Sequence, residues 1–326
     1  MKAIVADKNS ADGLDYSIQK KIFEDNGIEF VLEDCQTEDE IIKKCKEADA
    51  LLVIYKQITP KIMDALGNCK VILRYGIGYD VIDVKAATER GIKVCNSPMH
   101  CLDEVATHTI AMILAMKRQL VFYNDLVKQG KWLANAGFKP HRLSNQTLGF
   151  IGFGHIARRT AEFAKGFGFK MLAYDPFLSE EAVKDAGAEK AELDQLLGES
   201  DVISLHTPLT KNTFHLINKE TIAKMKDGVM IVNTSRGPII SSDDLMEAVK
   251  EGKVRAAALD VVEQEPLTVP NHPLFETGRI ICSPHAAYNS IEAEQQMMEV
   301  LAQTAVDVLK GGNPSNIVNR RELGIL

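Results

Sequence analysis

The stretch Gly149-Phe150-Ile151-Gly152-Phe153-Gly154-His155-Ile156-Ala157 decides the fold. An apolar strand over 147–151 runs into a glycine turn, and an amphipathic helix over 155–167 opens directly behind it. Gly152 lets the chain turn tightly, Gly154 lets backbone approach a ligand, and Ala157 keeps helix and strand close. The free N–H groups and positive dipole end of such a helix favour a phosphate. A glycine pattern alone also serves ordinary strand–helix turns. Here a second strand follows over 170–175 and ends on Asp175, about 20 residues beyond Gly154. A carboxylate there accepts hydrogen bonds from both adenosine ribose hydroxyls and repels a 2′-phosphate, so the spacing predicts NAD rather than NADP.

Outward from this turn, short apolar runs alternate with amphipathic stretches. Upstream the strands are expected at 3–6, 29–32, 50–54, 70–73 and 92–95, with helices over 16–25 and 38–46. Thr59-Pro60 opens another helix, threonine as N-cap and proline at the first helical position. A long helix is expected from Asp103 to about Gln119, continuing toward Lys128, with Val105, Thr109, Met112, Ile113 and Met116 on one stripe. Downstream strands are expected at 201–206, 229–233, 254–261 and 279–282. The tail over 290–310 reads as one amphipathic helix that adds no strand and returns toward the first half. This alternation is the α/β pattern of parallel sheets covered by helices.

The 326 residues exceed what one core usually holds, so two domains are expected. With 38 basic and 45 acidic residues the net charge is -7, which repels phosphate backbones and argues against a broad nucleic-acid surface. The apolar run over 109–116 is too short for a bilayer span. The first residues read as a strand and not as a secretion signal, so a cytoplasmic protein without membrane contact is expected. Cys35, Cys45, Cys69, Cys95, Cys101 and Cys282 include no Cys-x-x-Cys pair, and buried free thiols without metal or disulfide are expected.

Three polar residues follow successive strands, on the side where open α/β sheets bind ligands. Arg236 follows the 229–233 strand and offers a fixed cationic fork to a carboxylate or a polarised carbonyl. His285 follows the 279–282 strand and can move a proton near neutral pH. Glu265 follows the 254–261 strand and could hold one imidazole nitrogen. Each alone reads as a surface residue; their joint placement after a nucleotide-binding turn predicts a catalytic set.

Several blocks in order then carry a resemblance. They are Arg74-Tyr75-Gly76-Ile77-Gly78-Tyr79-Asp80, the glycine turn with Tyr174-Asp175-Pro176, His206-Thr207-Pro208-Leu209-Thr210, Asn233-Thr234-Ser235-Arg236-Gly237, the 260–266 segment, and Ser283-Pro284-His285-Ala286-Ala287. Across nearly its whole length the chain resembles the D-isomer-specific 2-hydroxyacid dehydrogenases, in their phosphoglycerate dehydrogenase and C-terminal-binding-protein-like branch. The resemblance implies two Rossmann-like, doubly wound parallel-sheet domains with a cleft between them. A discontinuous substrate domain would span 1–102 and 289–326, and an NAD-binding domain 103–288. It implies a homodimer whose long helix after Asp103 packs on the partner; the alternative is a core helix of one subunit, since an apolar stripe alone does not choose. It assigns Arg236 to the substrate and Glu265 with His285 to the carboxylate–histidine pair. Gly152, Gly154, His155, Ile156 and Asp175 would hold the dinucleotide, with Thr207 and Pro208 beside it and Thr234 and Asp260 near the nicotinamide. Tyr75, Gly76 and Ile77 would hold the substrate carboxylate through backbone N–H groups.

Two positions depart from the family pattern: bulky Tyr75 stands where a small residue is usual, and Val81 where an asparagine follows Asp80. Both are expected on the substrate side. A Tyr75 ring in the cleft would narrow it for glyoxylate, hydroxypyruvate or pyruvate, whereas Lys56 could reach a phosphorylated acid. The function implied is interconversion of a small D-2-hydroxy acid and its 2-keto acid by hydride transfer with NAD. The alternative is an NAD-sensing, corepressor-like binding protein, suggested by 146–149, 173–177 and 94–96.

Overall fold

In the computed structural model, which describes residues 1–11 and 13–325, the apolar runs become two all-parallel sheets, each in its own compact unit. One unit comprises Met1–His100 with Ser290–Leu326, the other Cys101–Asn289.

The first unit opens with β1 (Lys2–Val5), α1 (Ser17–Asp25), β2 (Glu29–Leu32), α2 (Glu38–Cys45) and β3 (Ala50–Val53). It continues through α3 (Pro60–Ala65), β4 (Val71–Arg74), α4 (Val84–Glu89) and β5 (Lys93–Cys95). Its strand order is β2-β1-β3-β4-β5, the flavodoxin-like doubly wound arrangement. Both sheet faces are covered, so the strands are apolar apart from charged residues at their ends, Lys2, Glu29, Arg74 and Lys93. Ala3, Val5, Leu52, Val71 and Leu73 face one layer with Phe23 of α1. Ile4, Leu51, Val53 and Ile72 face the other with Ile41 and Ile62. Thr59 caps α3 by accepting the Ile62 N–H, with Pro60 in its first turn.

The second unit begins with α5 (Leu102–Arg118) and α6 (Leu120–Lys128). Then come β6 (Thr147–Ile151), α7 (His155–Ala164), β7 (Lys170–Tyr174), α8 (Glu180–Asp185), β8 (Glu189–Lys190) and α9 (Leu193–Glu199). β9 (Val202–Leu205), α10 (Lys219–Lys224), β10 (Val229–Asn233), α11 (Ser242–Glu251), β11 (Val254–Leu259) and β12 (Ile280–Cys282) complete it. The order β12-β11-β10-β9-β6-β7-β8 is the Rossmann arrangement with one strand added. The stripe Val105, Thr109, Met112, Ile113 and Met116 of α5 is buried.

The chain then returns to the first unit as α12 (Ile291–Leu309), capped where the Ser290 hydroxyl accepts the Ala293 N–H. Met297, Leu301, Ala302 and Ala305 cover the sheet layer that holds Phe23. Beyond it, Asn319 accepts the Val94 N–H and donates to the Ile92 carbonyl, tying the tail to β5.

Two expectations change. The long helix after Asp103 is broken at Gln119, whose φ of 54° is left-handed. Its side-chain amide donates to the Phe138 carbonyl and accepts the Phe138 N–H, which holds the break. The cysteines are free and five are buried, but Cys282 on edge strand β12 is exposed.

Candidate active site

The switch point of the larger sheet lies between β6 and β9, where strand order reverses. Gly152 sits at the end of β6 with φ 83°, and its N–H donates to the Tyr174 carbonyl. A Cβ there would stand 2.8 Å from the His206 carbonyl oxygen and 2.9 Å from the Thr207 methyl carbon. At Gly154 a Cβ would meet nothing within 4 Å. Gly154 is the N-cap of α7 and supplies no side-chain cap, so the amides of His155 and Ile156 remain open to a ligand. The Thr207 hydroxyl is buried without a hydrogen-bond partner, and Pro208 follows it in the same loop. Such an orphan costs about 1–3 kcal/mol unless something fills the bond. The open approach at Gly154, the uncapped helix and the orphaned hydroxyl together fit a dinucleotide pyrophosphate.

Asp175 follows β7. One carboxylate oxygen accepts the Phe153 N–H and the other the Phe177 N–H, both at 2.9 Å. Each oxygen keeps a second lone pair for a ribose hydroxyl. Below the turn, burial pushes the His206 imidazole down to about 3, and its Nε2 lies 2.8 Å from the Ser204 hydroxyl.

The predicted catalytic residues hang from β10, β11 and β12, which are neighbours in the sheet. Behind Arg236, the fully buried Asn233 folds the loop: it accepts the Ser235 N–H and hydroxyl and donates to the Arg236 carbonyl. Arg236 Nη1 donates to the Ser235 carbonyl at 2.7 Å. Gly237 allows this loop to meet the next one, because a Cβ there would lie 1.8 Å from the Val262 carbonyl oxygen. Glu265 Oε1 accepts the Val262 N–H at 3.0 Å. Its Oε2 meets His285 Nδ1 at 2.7 Å. The pair is about two-thirds buried, with side chains 26% and 35% exposed for His285 and Glu265. His285 itself has φ 54°, a left-handed conformation costly for a side chain.

Asp260 holds that conformation. Its carbonyl accepts the His285 N–H. Its carboxylate accepts the Ser283 hydroxyl and the Ala286 and Ala287 N–H groups. The carboxyl expected near the nicotinamide is thus only 1% exposed and committed to the histidine loop. His108 of α5 completes the group, with Nε2 2.8 Å from the Ser283 hydroxyl. Thr234 meets the Thr109 hydroxyl at 2.9 Å, tying the arginine loop to the same helix. Sequence reading gave no role to His108, Ser283 and Asn233; the last two open blocks that carry the resemblance, whereas nothing local marks His108.

In the first unit, the expectation for Tyr75 is corrected. Its ring is 3% exposed and lies in the core with Phe23 and Met297. Its hydroxyl donates to Gln19 Oε1 at 2.6 Å, and its N–H is taken by the Val53 carbonyl. Neither side chain nor amide of Tyr75 is therefore free for substrate. Val81 is likewise packed in the core. Gly76 has φ 126°, and a Cβ there would fall 1.7 Å from Arg74 Nη1. The loop is fastened through its carbonyls, Gly76 to the Ser97 N–H and Ile77 to the Asn96 amide. These bonds leave the Gly76 and Ile77 N–H groups for another acceptor. The Lys56 ammonium folds back onto Gln36, at 3.3 Å from its side-chain oxygen.

Comparisons with known proteins follow the same lines. Residues 110–287 match the family described as D-isomer specific 2-hydroxyacid dehydrogenase, NAD binding domain. A glyoxylate reductase of Thermofilum pendens is 39% identical over 296 residues, 88% of this chain and 86% of that one. A hydroxypyruvate reductase of Thermotoga maritima is 44% identical over 261 residues, 79% and 84% of the two chains. Among solved structures, D-lactate dehydrogenase from Aquifex aeolicus, complexed with NAD and lactic acid, superposes with a TM-score of 0.84 at 31% identity. It covers 95% of this chain and 96% of that one.

Proposed function

The chain belongs to the D-isomer-specific 2-hydroxyacid dehydrogenase family, and from that premise we propose which residues carry its NAD-dependent oxidoreduction and which acid it takes. The observation that carries the assignment is the 2.7 Å contact between Glu265 and His285 beside the arginine loop.

Bound NADH supplies the hydride that reduces the keto carbon of a 2-keto acid. His285, held at Nδ1 by Glu265, presents Nε2 and delivers a proton to the forming alkoxide. Arg236 holds the carboxylate and stabilises the charge that develops on the reacting oxygen. In the first unit, the Gly76 and Ile77 amides are proposed as donors for a substrate carboxylate, and Tyr75 has no part in this. Asp260 and Ser283 act as positioning residues for the histidine loop. In the oxidative direction His285 accepts the proton instead. Gly152, Gly154, His155 and Ile156 are assigned to the pyrophosphate, Asp175 to the adenosine ribose, and Thr207 with Pro208 to the flank of the dinucleotide.

The substrate proposed is a small unphosphorylated 2-keto acid, glyoxylate or hydroxypyruvate. The names of the two relatives support it, as does a Lys56 whose ammonium is engaged by Gln36. Tyr75, buried in the core, narrows no pocket for it. A homodimer is proposed from the apolar surface on and after α6, where Leu120, Val127, Trp132 and Leu133 are exposed, Trp132 at 87%. Free cysteines suit a cytoplasmic location.

The test is steady-state NADH oxidation with glyoxylate, hydroxypyruvate, pyruvate and phosphohydroxypyruvate, using wild type and His285→Ala. Turnover of the small acids is expected, with kcat falling about 10²–10⁴-fold in the variant while NADH still binds. No turnover on any acid, or near-normal kcat in the variant, refutes the assignment.

A further inference from the structure

The larger unit carries a second polar site, at the opposite ends of the strands from the glycine turn. Gln146, Asp201 and Gly228 immediately precede β6, β9 and β10, and they line a cavity of about 80 Å³. A five-residue strand separates it from the turn by about 17 Å. Phe138, Lys139 and His141 form one wall, as the strap fastened by Gln119, and Lys117 and Arg255 form another. None of these residues enters the chemistry described above.

Two side chains there are built in without partners. Lys117 is only 5% exposed, and its ammonium makes no hydrogen bond or ion pair among the described residues. Gln146 is 7% exposed, and its Oε1 is buried with no hydrogen-bond partner. Burying a charge or an amide oxygen unpaired is costly, and such groups in native interiors normally meet a partner. The carboxylates at the rim do not serve. Asp201 is taken by the Lys226 ammonium and the Thr147 N–H, and Asp227 by Lys253. Lys117, Lys139 and Arg255 thus line one cavity whose rim carboxylate Asp201 is already paired with another cation. Burial pushes the Lys117 amine down to about 8, with Asp201 opposing and Arg255 and Lys226 adding to the fall.

The missing partner must do two things. It must carry negative charge for the cations, and it must donate one hydrogen bond to Gln146 Oε1. A carboxylate or sulfate at neutral pH has no proton to donate. A hydrogenphosphate has both an O–H and charged oxygens. The volume is several times the 10–15 Å³ or so that one water needs, which suits a single tetrahedral anion. We propose that this cavity is a binding site for a hydrogenphosphate group, filled by inorganic phosphate.

The experiment is thermal unfolding of the NADH-saturated enzyme in sodium phosphate, sodium sulfate and sodium chloride at equal ionic strength, with calorimetric titration of phosphate. NADH occupies the pyrophosphate site, so anion binding there is suppressed. At phosphate about tenfold above its Kd, the linkage predicts a Tm rise of about 3–6 °C over chloride, with a smaller rise in sulfate. Lys117→Met should lose the phosphate-specific rise. Gln146→Glu puts a carboxylate into the cavity and should lose it too, which keeps the test open if the first variant folds poorly. NADH oxidation should be unchanged in both variants. No phosphate-specific rise in wild type, an equal rise in sulfate, or a rise retained in either variant overturns the proposal.

Discussion

Asp260→Asn tests the view that one buried carboxylate fixes His285, the proposed proton donor. Asp260 Oδ1 accepts the Ser283 hydroxyl at 2.5 Å and the Ala286 N–H at 2.9 Å; Oδ2 accepts the Ala287 N–H at 3.0 Å. An asparagine can keep the first two bonds through its oxygen, but its NH₂ then faces the Ala287 N–H, donor against donor. Leaving that amide unpaired costs about 1–3 kcal/mol, and turning the remaining two bonds from charged to neutral costs roughly 1 kcal/mol each. The total, about 3–5 kcal/mol, falls on the loop that keeps His285 at its left-handed φ. At about 1.4 kcal/mol per tenfold, kcat should fall by about 100-fold or more, up to the loss expected on removing the histidine. Ser283→Ala removes one donor to the carboxylate and should cost about tenfold or more. The assay is kcat and KM for hydroxypyruvate, with the NADH Kd measured separately. A kcat within threefold of wild type in Asp260→Asn would refute the reasoning. A loss confined to NADH affinity would instead return the residue to a cofactor role.

Other outcomes are expected elsewhere. Asp175→Ala should narrow the preference for NADH over NADPH by removing the charge that repels a 2′-phosphate; equal kcat/KM values for the two cofactors in wild type would sink this. Tyr75→Phe strands Gln19 Oε1, which is fully buried, so Tm should drop by several degrees while kcat/KM for hydroxypyruvate stays within twofold. A changed substrate preference at unchanged Tm would put the ring back in the substrate site. His206 is held at about 3, below its ordinary 6.5. Between those values the unfolded chain binds a proton that the folded one does not, so stability falls as pH drops from 6.5 toward 3. His206→Gln should flatten that slope by up to about 1.4 kcal/mol per pH unit, read as Tm against pH; an unaltered slope would exclude the histidine as its source.

The legible parts of this protein are those written locally. A glycine turn between strand and helix, and an acidic residue one strand later, are contiguous signals, and the residues proposed as catalytic follow strands whose apolar runs are plain. What escaped is non-local. Gln119 breaks the helix through Phe138, and Asp260 draws Ser283, His108 and the His285 backbone together across distant segments. Tyr75 could have been read correctly. Val71, Leu73 and Tyr75 alternate onto one face of β4 and its continuation, the face covered by α1, so strand parity already turned the ring inward. The loop position invited a functional reading that the pleat contradicts. Strand β8, two residues long, is too short for any periodicity to mark it.

The route of the chain through its two units also sets an order of assembly. The segment Cys101–Asn289 is continuous, so it can close its core once its last residue is synthesised. The unit that begins the chain cannot. One face of its sheet, with Ala3, Val5, Leu52, Leu73 and Tyr75, has no cover from Met297, Leu301 and Ala305 until α12 is made. The segment translated before the larger unit is completed only after it, and on a growing chain its open sheet is a surface exposed to mispairing and to chaperone capture.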